Sequence, residues 1–208
     1  MSDIKQIKQI CNQTQIKSIS TWIKQFKEGK TKPLYIYGTG GCGKTTLANL
    51  ILEKYNYNII NLSSIYINNN KNIIETINNV LINKSICMMF SDNITCKGLI
   101  IDDLEHYIEN DKNIYNCVCN IIKNIEKYHA NPIIIISNKI NKKISQMLEK
   151  QCVVIKLSYT KKKIEEITRD NLMGANMTMD DDKIDLLIKT SNKNLTTIFE
   201  QIKYLKNE

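Results

Sequence analysis

Histidine is scarce in this sequence, and cysteine occurs without the pairing that metal sites need. The 208 residues include two histidines, His106 and His129, and seven cysteines. The cysteines lack the close pairs and histidine partners of a zinc site, and neither histidine completes a metal pattern with Cys117 and Cys119. The sequence therefore argues against structural zinc, and we expect free thiols in a reducing compartment.

Long apolar runs are absent as well. No run approaches the roughly 18 apolar residues that a helix needs to cross a membrane, and no apolar segment precedes the basic start of the chain. We therefore expect neither a spanning helix nor a secretory signal. We expect a soluble, intracellular protein with no membrane partner.

Arginine is almost missing, because Arg169 is the only one and lysine carries nearly all of the positive charge. Lysine and arginine number 29 against 21 aspartates and glutamates, which gives a net charge of +8. This balance favours a polyanionic partner such as nucleic acid. The sequence is also crowded with isoleucine and asparagine, as expected of an AT-rich genome such as a viral one. Coding bias and DNA contact are therefore both open explanations of the charge.

Glycine is infrequent too, and its placement marks the most informative stretch of the chain. Four of the seven glycines fall between Gly38 and Gly43. With Lys44 and Thr45 they fit the phosphate-binding pattern G-x-x-x-x-G-K-[ST], between a strand-like run and a helix-like run. Backbone N–H groups of such a loop wrap a β-phosphate, the lysine bridges β- and γ-oxygens, and the threonine offers a magnesium ligand. The alternative is a glycine turn without a ligand.

The loop pattern predicts ATP and Mg²⁺ as cofactors. Lys44 is expected on the phosphates and Thr45 on the metal. The predicted nucleotide-binding residues of the loop are Gly38, Thr39, Gly40, Gly41, Cys42, Gly43, Lys44, Thr45 and Thr46.

An apolar strand downstream of the loop, over residues 97–101, ends in two carboxylates. Asp102 would stand at the strand tip, where it can hold magnesium through water, and Asp103 would point at the attacking water. Alone the pattern is weak, because strands commonly end in polar turns. Paired with an upstream phosphate loop, it predicts the second half of a nucleotide site.

The next apolar strand, over residues 133–136, leads to Asn138. The carboxyl ends of parallel strands line one edge of a sheet, so Asn138 should stand near Thr45 and Asp102, where its amide can orient water against the γ-phosphate. A turn-forming asparagine is the alternative. Three lysines on a predicted helix start are candidate DNA phosphate contacts, although a solvated charged face explains them equally well: Lys139, Lys142 and Lys143.

Periodicity predicts an α/β protein in which five strands alternate with helices. The predicted helices include residues 13–28, 45–54, 72–83 and 113–128, and the fifth strand covers 152–157. Past residue 159 the strand signal disappears, and three amphipathic helices are expected at about 160–173, 180–191 and 194–206. We predict a nucleotide-binding core over residues 1–158 and a small helical lid over residues 159–208.

Together these features resemble an AAA+ ATPase, and within that superfamily the large subunit of the replication factor C clamp loader. The resemblance implies a five-stranded parallel P-loop sheet followed by a three-helix lid. It also implies adenine contacts at Ile10 and Asn12, because ICNQ resembles the family's I-G-N-Q element, with Cys11 in place of glycine. The segments that carry the resemblance are ICNQTQIKSISTWIKQF (10–26), GTGGCGKTT (38–46), YNYNIINLSS (55–64) and SNKINKKI (137–144).

The chain also departs from that family's pattern. Asp103 stands where glutamate is usual, and its side chain is shorter by one C–C bond, about 1.5 Å, a misplacement that can cost on the order of a hundredfold in rate. The family's small subunits present an S-R-C element to a neighbouring site, where this chain has Lys150, Gln151 and Cys152, so it cannot donate that arginine finger. Thr196 occupies the position of the lid's sensor arginine. We expect no collar segment of the family's kind.

The resemblance implies an ATP-binding protein that acts in DNA replication through ATP-dependent assembly, with weak hydrolysis alone. Its implied partners are other clamp-loader-like AAA+ subunits, a sliding clamp and primed DNA, in the nucleus or at a viral replication site. One alternative is a non-hydrolysing regulatory or assembly module in which the nucleotide is a structural ligand. Another is a helicase-loader-like ATPase that shares the core site. Whether ATP is hydrolysed stays open at the level of sequence.

Overall fold

The computed structural model describes residues 7–28, 32–62, 97–105, 112–125, 131–139 and 145–207. The helix predicted over residues 72–83 lies outside these ranges, as do Lys142 and Lys143. Within them, no helix is long and apolar enough to cross a membrane.

A five-stranded sheet organises the N-terminal part of the chain. Its strands lie in the order β2-β3-β4-β1-β5, and the pairs β2–β3, β3–β4 and β4–β1 are parallel. Nearly every residue of β1, β3 and β4 is buried, as expected of parallel strands covered on both faces. The order places the carboxyl ends of β3, β4 and β1 side by side. The strands are β1 Leu34–Gly38, β2 Asn58–Leu62, β3 Lys97–Ile101, β4 Ile133–Ser137 and β5 Val153–Leu157.

Helices connect and precede the strands: α1 Gln13–Lys27, α2 Lys44–Lys54, α3 Lys112–Lys123 and α4 Ser145–Gln151. The start of α1 is fixed by a capping box, in which the Asn12 side chain accepts from the Gln15 N–H and the Gln15 side chain accepts from the Asn12 N–H, both at 2.8 Å. Trp22 on α1 is 2% exposed and donates to the Lys32 carbonyl at 2.7 Å. This bond anchors α1 to the segment that leads into β1.

The C-terminal part is helical, as the sequence predicts, with α5 Lys161–Gly174, α6 Asp181–Thr190 and α7 Leu195–Asn207. The apolar stripes of these helices form one shared cluster of buried side chains, which accounts for the strength of the periodic signal. The cluster contains Ile164, Ile167, Leu172, Ile184, Leu187, Ile188, Leu195, Ile198 and Ile202.

The chain forms two compact units, and the division does not follow residue 158 alone. One unit comprises Met1–Tyr37 and Thr45–Lys156, and the other comprises Gly38–Lys44 and Leu157–Glu208. The glycine loop therefore packs with the C-terminal helices. A functional division into a core over residues 1–158 and a lid over residues 159–208 stays a prediction.

Candidate nucleotide-binding site

The glycine loop joins the end of β1 to the start of α2, which is the context that a phosphate-binding loop requires. Gly41 and Gly43 have φ angles of 68° and 84°. Glycine adopts this left-handed region without steric cost. Loops of this kind can turn successive backbone N–H groups toward one point and form an anion-binding concavity. The described conformation is therefore compatible with a phosphate at the N-terminus of α2.

Lys44 is almost completely enclosed by the loop that it ends. Its side chain is 6% exposed, and Nζ donates to the carbonyl oxygens of Gly38 at 3.0 Å and Thr39 at 2.9 Å. These bonds place the ammonium inside the curve of the loop. The same position provides the positive charge that a bound phosphate needs.

The back of the loop is held by residues that sequence reasoning missed. The Tyr159 hydroxyl donates to the Cys42 carbonyl at 2.9 Å, and the Leu195 N–H donates to the Gly41 carbonyl at 3.0 Å. A Cβ on Gly41 would clash with the side chain of Asn194, so space as well as the φ angle favours glycine here. Two loop carbonyls are thus fixed by the segment that contains α5 and α7.

Only one of these missed residues carries a sequence signal. Asn194 precedes α7 and accepts from the N–H groups of Thr196 at 3.0 Å and Thr197 at 3.3 Å. An asparagine just before an amphipathic run is typical of such a cap. Tyr159 belongs to no motif.

The strand tip of β3 meets the start of α2. Asp102 follows β3 directly, and its Oδ2 accepts from the Thr45 hydroxyl at 2.6 Å. The structure thus brings together the two residues that the sequence predicts as the metal site. A hydroxyl and a carboxylate are hard oxygen donors of the kind that Mg²⁺ prefers, so their chemistry fits this ion.

The predicted catalytic pair also lies at this edge of the sheet. Asp103 is exposed and has a left-handed backbone with a φ angle of 54°, and its N–H donates to Oδ1 of Asp102 at 2.9 Å. Nδ2 of Asn138, just past β4, donates to Oδ1 of Asp103 over a long 3.5 Å. Hydrogen bonds therefore link Thr45, Asp102, Asp103 and Asn138 into one polar group, in which the backbone N–H of Asp103 joins the two aspartates.

Glu105 joins this group although no motif marks it. Its Oε1 accepts from the backbone N–H of Asn138 at 2.9 Å. Sequence analysis gave it no role, because it lies beyond the pair of carboxylates at the end of β3.

The remaining predicted residues are less closely tied to the site. Oδ1 of Asn12 accepts from the Gln15 N–H and the Thr14 hydroxyl, so this side chain caps α1, and the adenine contacts of Ile10 and Asn12 stay predictions. Thr46 is exposed on α2, and Thr196 is exposed at the second residue of α7. Lys139 is also exposed, and the DNA role of Lys139, Lys142 and Lys143 stays a prediction.

The one cysteine of the loop is enclosed. Burial raises the pKa of the Cys42 thiol, although the charge of Lys44 opposes the rise. Nζ of Lys44 donates to the Cys42 sulfur over 4.0 Å, so the neutral thiol packs against the ammonium without supplying a negative charge.

Comparison with known proteins identifies relatives in sequence. Residues 10–159 match the family model described as the bacterial DnaA ATPase domain. The chain is similar to the replication factor C large subunit of Methanococcus aeolicus, with 28% identity over 158 residues, which cover 74% of this chain and 31% of that relative. The chain thus spans less than a third of the length of this curated relative.

Two solved structures share the fold. AMPPCP-bound DnaA from Aquifex aeolicus has a TM-score of 0.61 and 17% identity, covering 94% of this chain and 62% of that chain. The Thermotoga maritima RuvB Holliday junction branch migration motor has a TM-score of 0.65 and 18% identity, with the same shares covered. At these identities the likeness shows the fold alone.

Proposed function

Because the chain belongs to the family of the bacterial DnaA ATPase domain, we propose that it binds ATP with Mg²⁺ and acts in DNA replication by ATP-dependent assembly of the clamp-loader kind. Membership of this family confirms the AAA+ ATPase predicted from the sequence, and the replication factor C subtype is part of the proposal. Its proposed partners are clamp-loader-like AAA+ subunits, a sliding clamp and primed DNA.

One contact carries the proposal, namely the 2.6 Å bond from Thr45 to Asp102. The loop pattern and the acidic strand tip lie far apart in sequence, and this bond joins the threonine of one to the first carboxylate of the other. In the proposed roles, Lys44 binds phosphate oxygens, Thr45 and Asp102 hold the metal, Asp103 orients the attacking water, and Asn138 senses the γ-phosphate. Bound magnesium would neutralise charge on the β- and γ-phosphates.

Hydrolysis by the isolated chain should be slow. The only arginine, Arg169, forms an ion pair with Asp181 at 2.6 Å between α5 and α6. An arginine that compensates charge on the transferring phosphoryl group contributes about 10³ to 10⁵ in rate where it operates. We expect a turnover number below about 1 s⁻¹ for the chain alone, and an increase when primed DNA and partner subunits are added.

Phosphate release tests this expectation. It is measured with the chain alone, with primed DNA, and with candidate AAA+ subunits and a clamp. Stimulation by primed DNA together with subunits supports the proposal, whereas turnover alone above about 1 s⁻¹ contradicts it. Phosphate release that stays at background under every condition favours the second candidate function below.

The second candidate is a regulatory or assembly module that binds the nucleotide without hydrolysing it. The observation that favours it is the geometry of Asp103. Its side chain is shorter than that of the usual glutamate, and its Oδ1 lies 3.5 Å from Nδ2 of Asn138. Thr196, at the predicted sensor position, is exposed and provides no positive charge. In this case ATP would act by fixing the loop and the residues that hold it.

Tyr159 gives a test of the contacts behind the loop. Tyr159→Phe removes the hydroxyl that donates to the Cys42 carbonyl, and we expect ATP affinity to fall about two- to tenfold, because one hydrogen bond contributes about 0.5–1.5 kcal/mol. Titration with a fluorescent ATP analogue measures the effect. Tyr204→Phe is the matched control, since Tyr204 is 67% exposed. Equal affinity of Tyr159→Phe and the parent would show that the contact does not support binding.

A further inference from the structure

The carboxylate of Glu105 links the ends of β3 and β4, and the predicted site assigns it no role. The described pairing of β4 with β1 ends at Tyr37 and Ser137, so Asn138 lies one residue beyond the ladder. There its backbone N–H donates to Oε1 of Glu105 at 2.9 Å. The segment that follows β3 thus holds Asn138 twice, by its backbone through Glu105 and by its side chain through Asp103.

The second oxygen of Glu105 is unusual. Oε2 is buried, and it has no hydrogen-bond partner among the residues that the structure describes. A buried carboxylate oxygen without a partner lowers stability, and such groups in folded proteins call for a functional explanation. Among the residues that the structure describes, the hydrogen bond from Asn138 to Oε1 is therefore the contact that can explain a glutamate at this position.

The charge of Glu105 also acts on a residue that bridges β1 and β4. Tyr35 on β1 and Ser137 on β4 share a buried hydrogen bond of 2.6 Å. Burial is the main cause that raises the pKa of Tyr35, and the negative charge of Glu105 adds to the rise, against the bond from Ser137. Glu105 thus interacts electrostatically with Tyr35 on β1 and by a hydrogen bond with Asn138, one residue past β4.

We propose that Glu105 is a positioning residue for Asn138, which fixes the end of β4 against the end of β3 so that the Asn138 amide can distinguish ATP from ADP. This inference rests on the proposed nucleotide function. The bond from Glu105 restricts the backbone of Asn138, whose amide must reach the γ-phosphate. Small misplacements of groups that contact a reacting substrate weaken their effect strongly. The bonding group is a carboxylate oxygen, so a glutamine carbonyl can accept the same N–H.

The experiment compares four variants of the full chain. Glu105→Ala removes the acceptor, Glu105→Asp keeps the charge but shortens the reach, Glu105→Gln keeps an acceptor at the same length, and Glu149→Ala is a control on an exposed glutamate of α4. Two quantities are measured. One is the ratio of dissociation constants for ADP and a non-hydrolysable ATP analogue with Mg²⁺, and the other is hydrogen exchange of the Asn138 amide by NMR.

We expect Glu105→Ala and Glu105→Asp to lose about tenfold of the preference for the ATP analogue and to speed Asn138 exchange by a similar factor, since the acceptor of one hydrogen bond is lost. ADP affinity should change little. Glu105→Gln and Glu149→Ala should match the parent in both quantities. A general loss of fold would change both nucleotides alike and would not be rescued by glutamine.

Three results would overturn the inference: an unchanged ratio in Glu105→Asp, unchanged exchange of the Asn138 amide in that variant, or a Glu105→Gln variant as impaired as Glu105→Asp. The Asp and Gln variants decide the question if Glu105→Ala does not fold. A parent chain that binds neither nucleotide refutes the proposed function instead. The exchange of the Asn138 amide still tests the positioning in that case.

Discussion

Replacement of Lys44 by alanine should lower the affinity for ATP with Mg²⁺ by at least about a hundredfold. The ammonium is enclosed in the loop, and Nζ lies within hydrogen-bond distance of two loop carbonyls. In the proposed ATP complex, Nζ of Lys44 donates to phosphate oxygens instead of these two carbonyls. Hydrogen bonds to charged groups contribute about 1.5–3 kcal/mol each, so the loss of two corresponds to roughly a hundredfold or more. Isothermal titration calorimetry measures the difference.

The matched control is Lys54→Ala at the other end of α2. Lys54 is exposed, and its Nζ stands 5.3 Å from the centre of the Tyr55 ring, so its removal changes the same net charge on the same helix. We expect this variant to bind ATP as the parent does. Circular dichroism establishes that both variants are folded, and Lys44→Met replaces Lys44→Ala if the smaller side chain destabilises the loop. Parental affinity in a folded Lys44 variant would show that the site is assigned wrongly.

The sheet and the proximity of the candidate site residues could be predicted from the sequence, because their signals are local. The glycines and Lys44 occur in one short stretch, and a buried parallel strand reads as an unbroken apolar run, as in residues 133–136. Parallel pairing then places all strand ends at one edge. The meeting of Thr45 with Asp102, and of Asp103 with Asn138, follows from this geometry.

Other features of the site could not be predicted, because they join residues that no local pattern relates. The bond from Tyr159 to the carbonyl of Cys42 spans 117 positions, and that from Asn138 to Glu105 spans 33. Both bonds connect a side chain to a backbone group. Because every residue type has such a backbone group, the sequence does not mark the partner. The sequence of a loop therefore shows which ligand it can bind, but not which side chains hold the loop in place.

The connection of the loop to the C-terminal helices suggests how nucleotide binding could be transmitted. The Gly41 carbonyl accepts from the first N–H of α7, while Asn194 caps the next N–H groups of this helix. A loop carbonyl thus takes part in the start of α7. By linkage, a ligand that fixes the loop in this conformation also stabilises the start of the helix. Such coupling is consistent with assembly controlled by ATP, and it does not require hydrolysis.

Asp102→Asn should separate metal binding from nucleotide binding. The amide is nearly the same size and its oxygen can still accept from Thr45, so the 2.6 Å contact can survive while the negative charge is lost. If Asp102 holds magnesium through water, we expect the apparent affinity for Mg²⁺ in the ATP complex to fall about 10- to 100-fold, which is the usual effect of removing such a partner. ATP affinity without metal should stay close to the parental value or rise, because a like charge near the phosphates has been removed.

Comparison of Asp102→Asn with Asp103→Asn shows which of the two carboxylates holds the metal. Asp103 is exposed and is proposed to orient water, so its variant should keep the parental dependence of ATP binding on Mg²⁺ and lose phosphate release instead. Titration of Mg²⁺ at fixed ATP analogue, followed by fluorescence, measures the first property of both variants. Equal Mg²⁺ dependence in Asp102→Asn and the parent would remove Asp102 from the metal site. A loss of Mg²⁺ dependence in Asp103→Asn alone would exchange the roles of the two aspartates, because only one of them can then be the carboxylate that holds the metal.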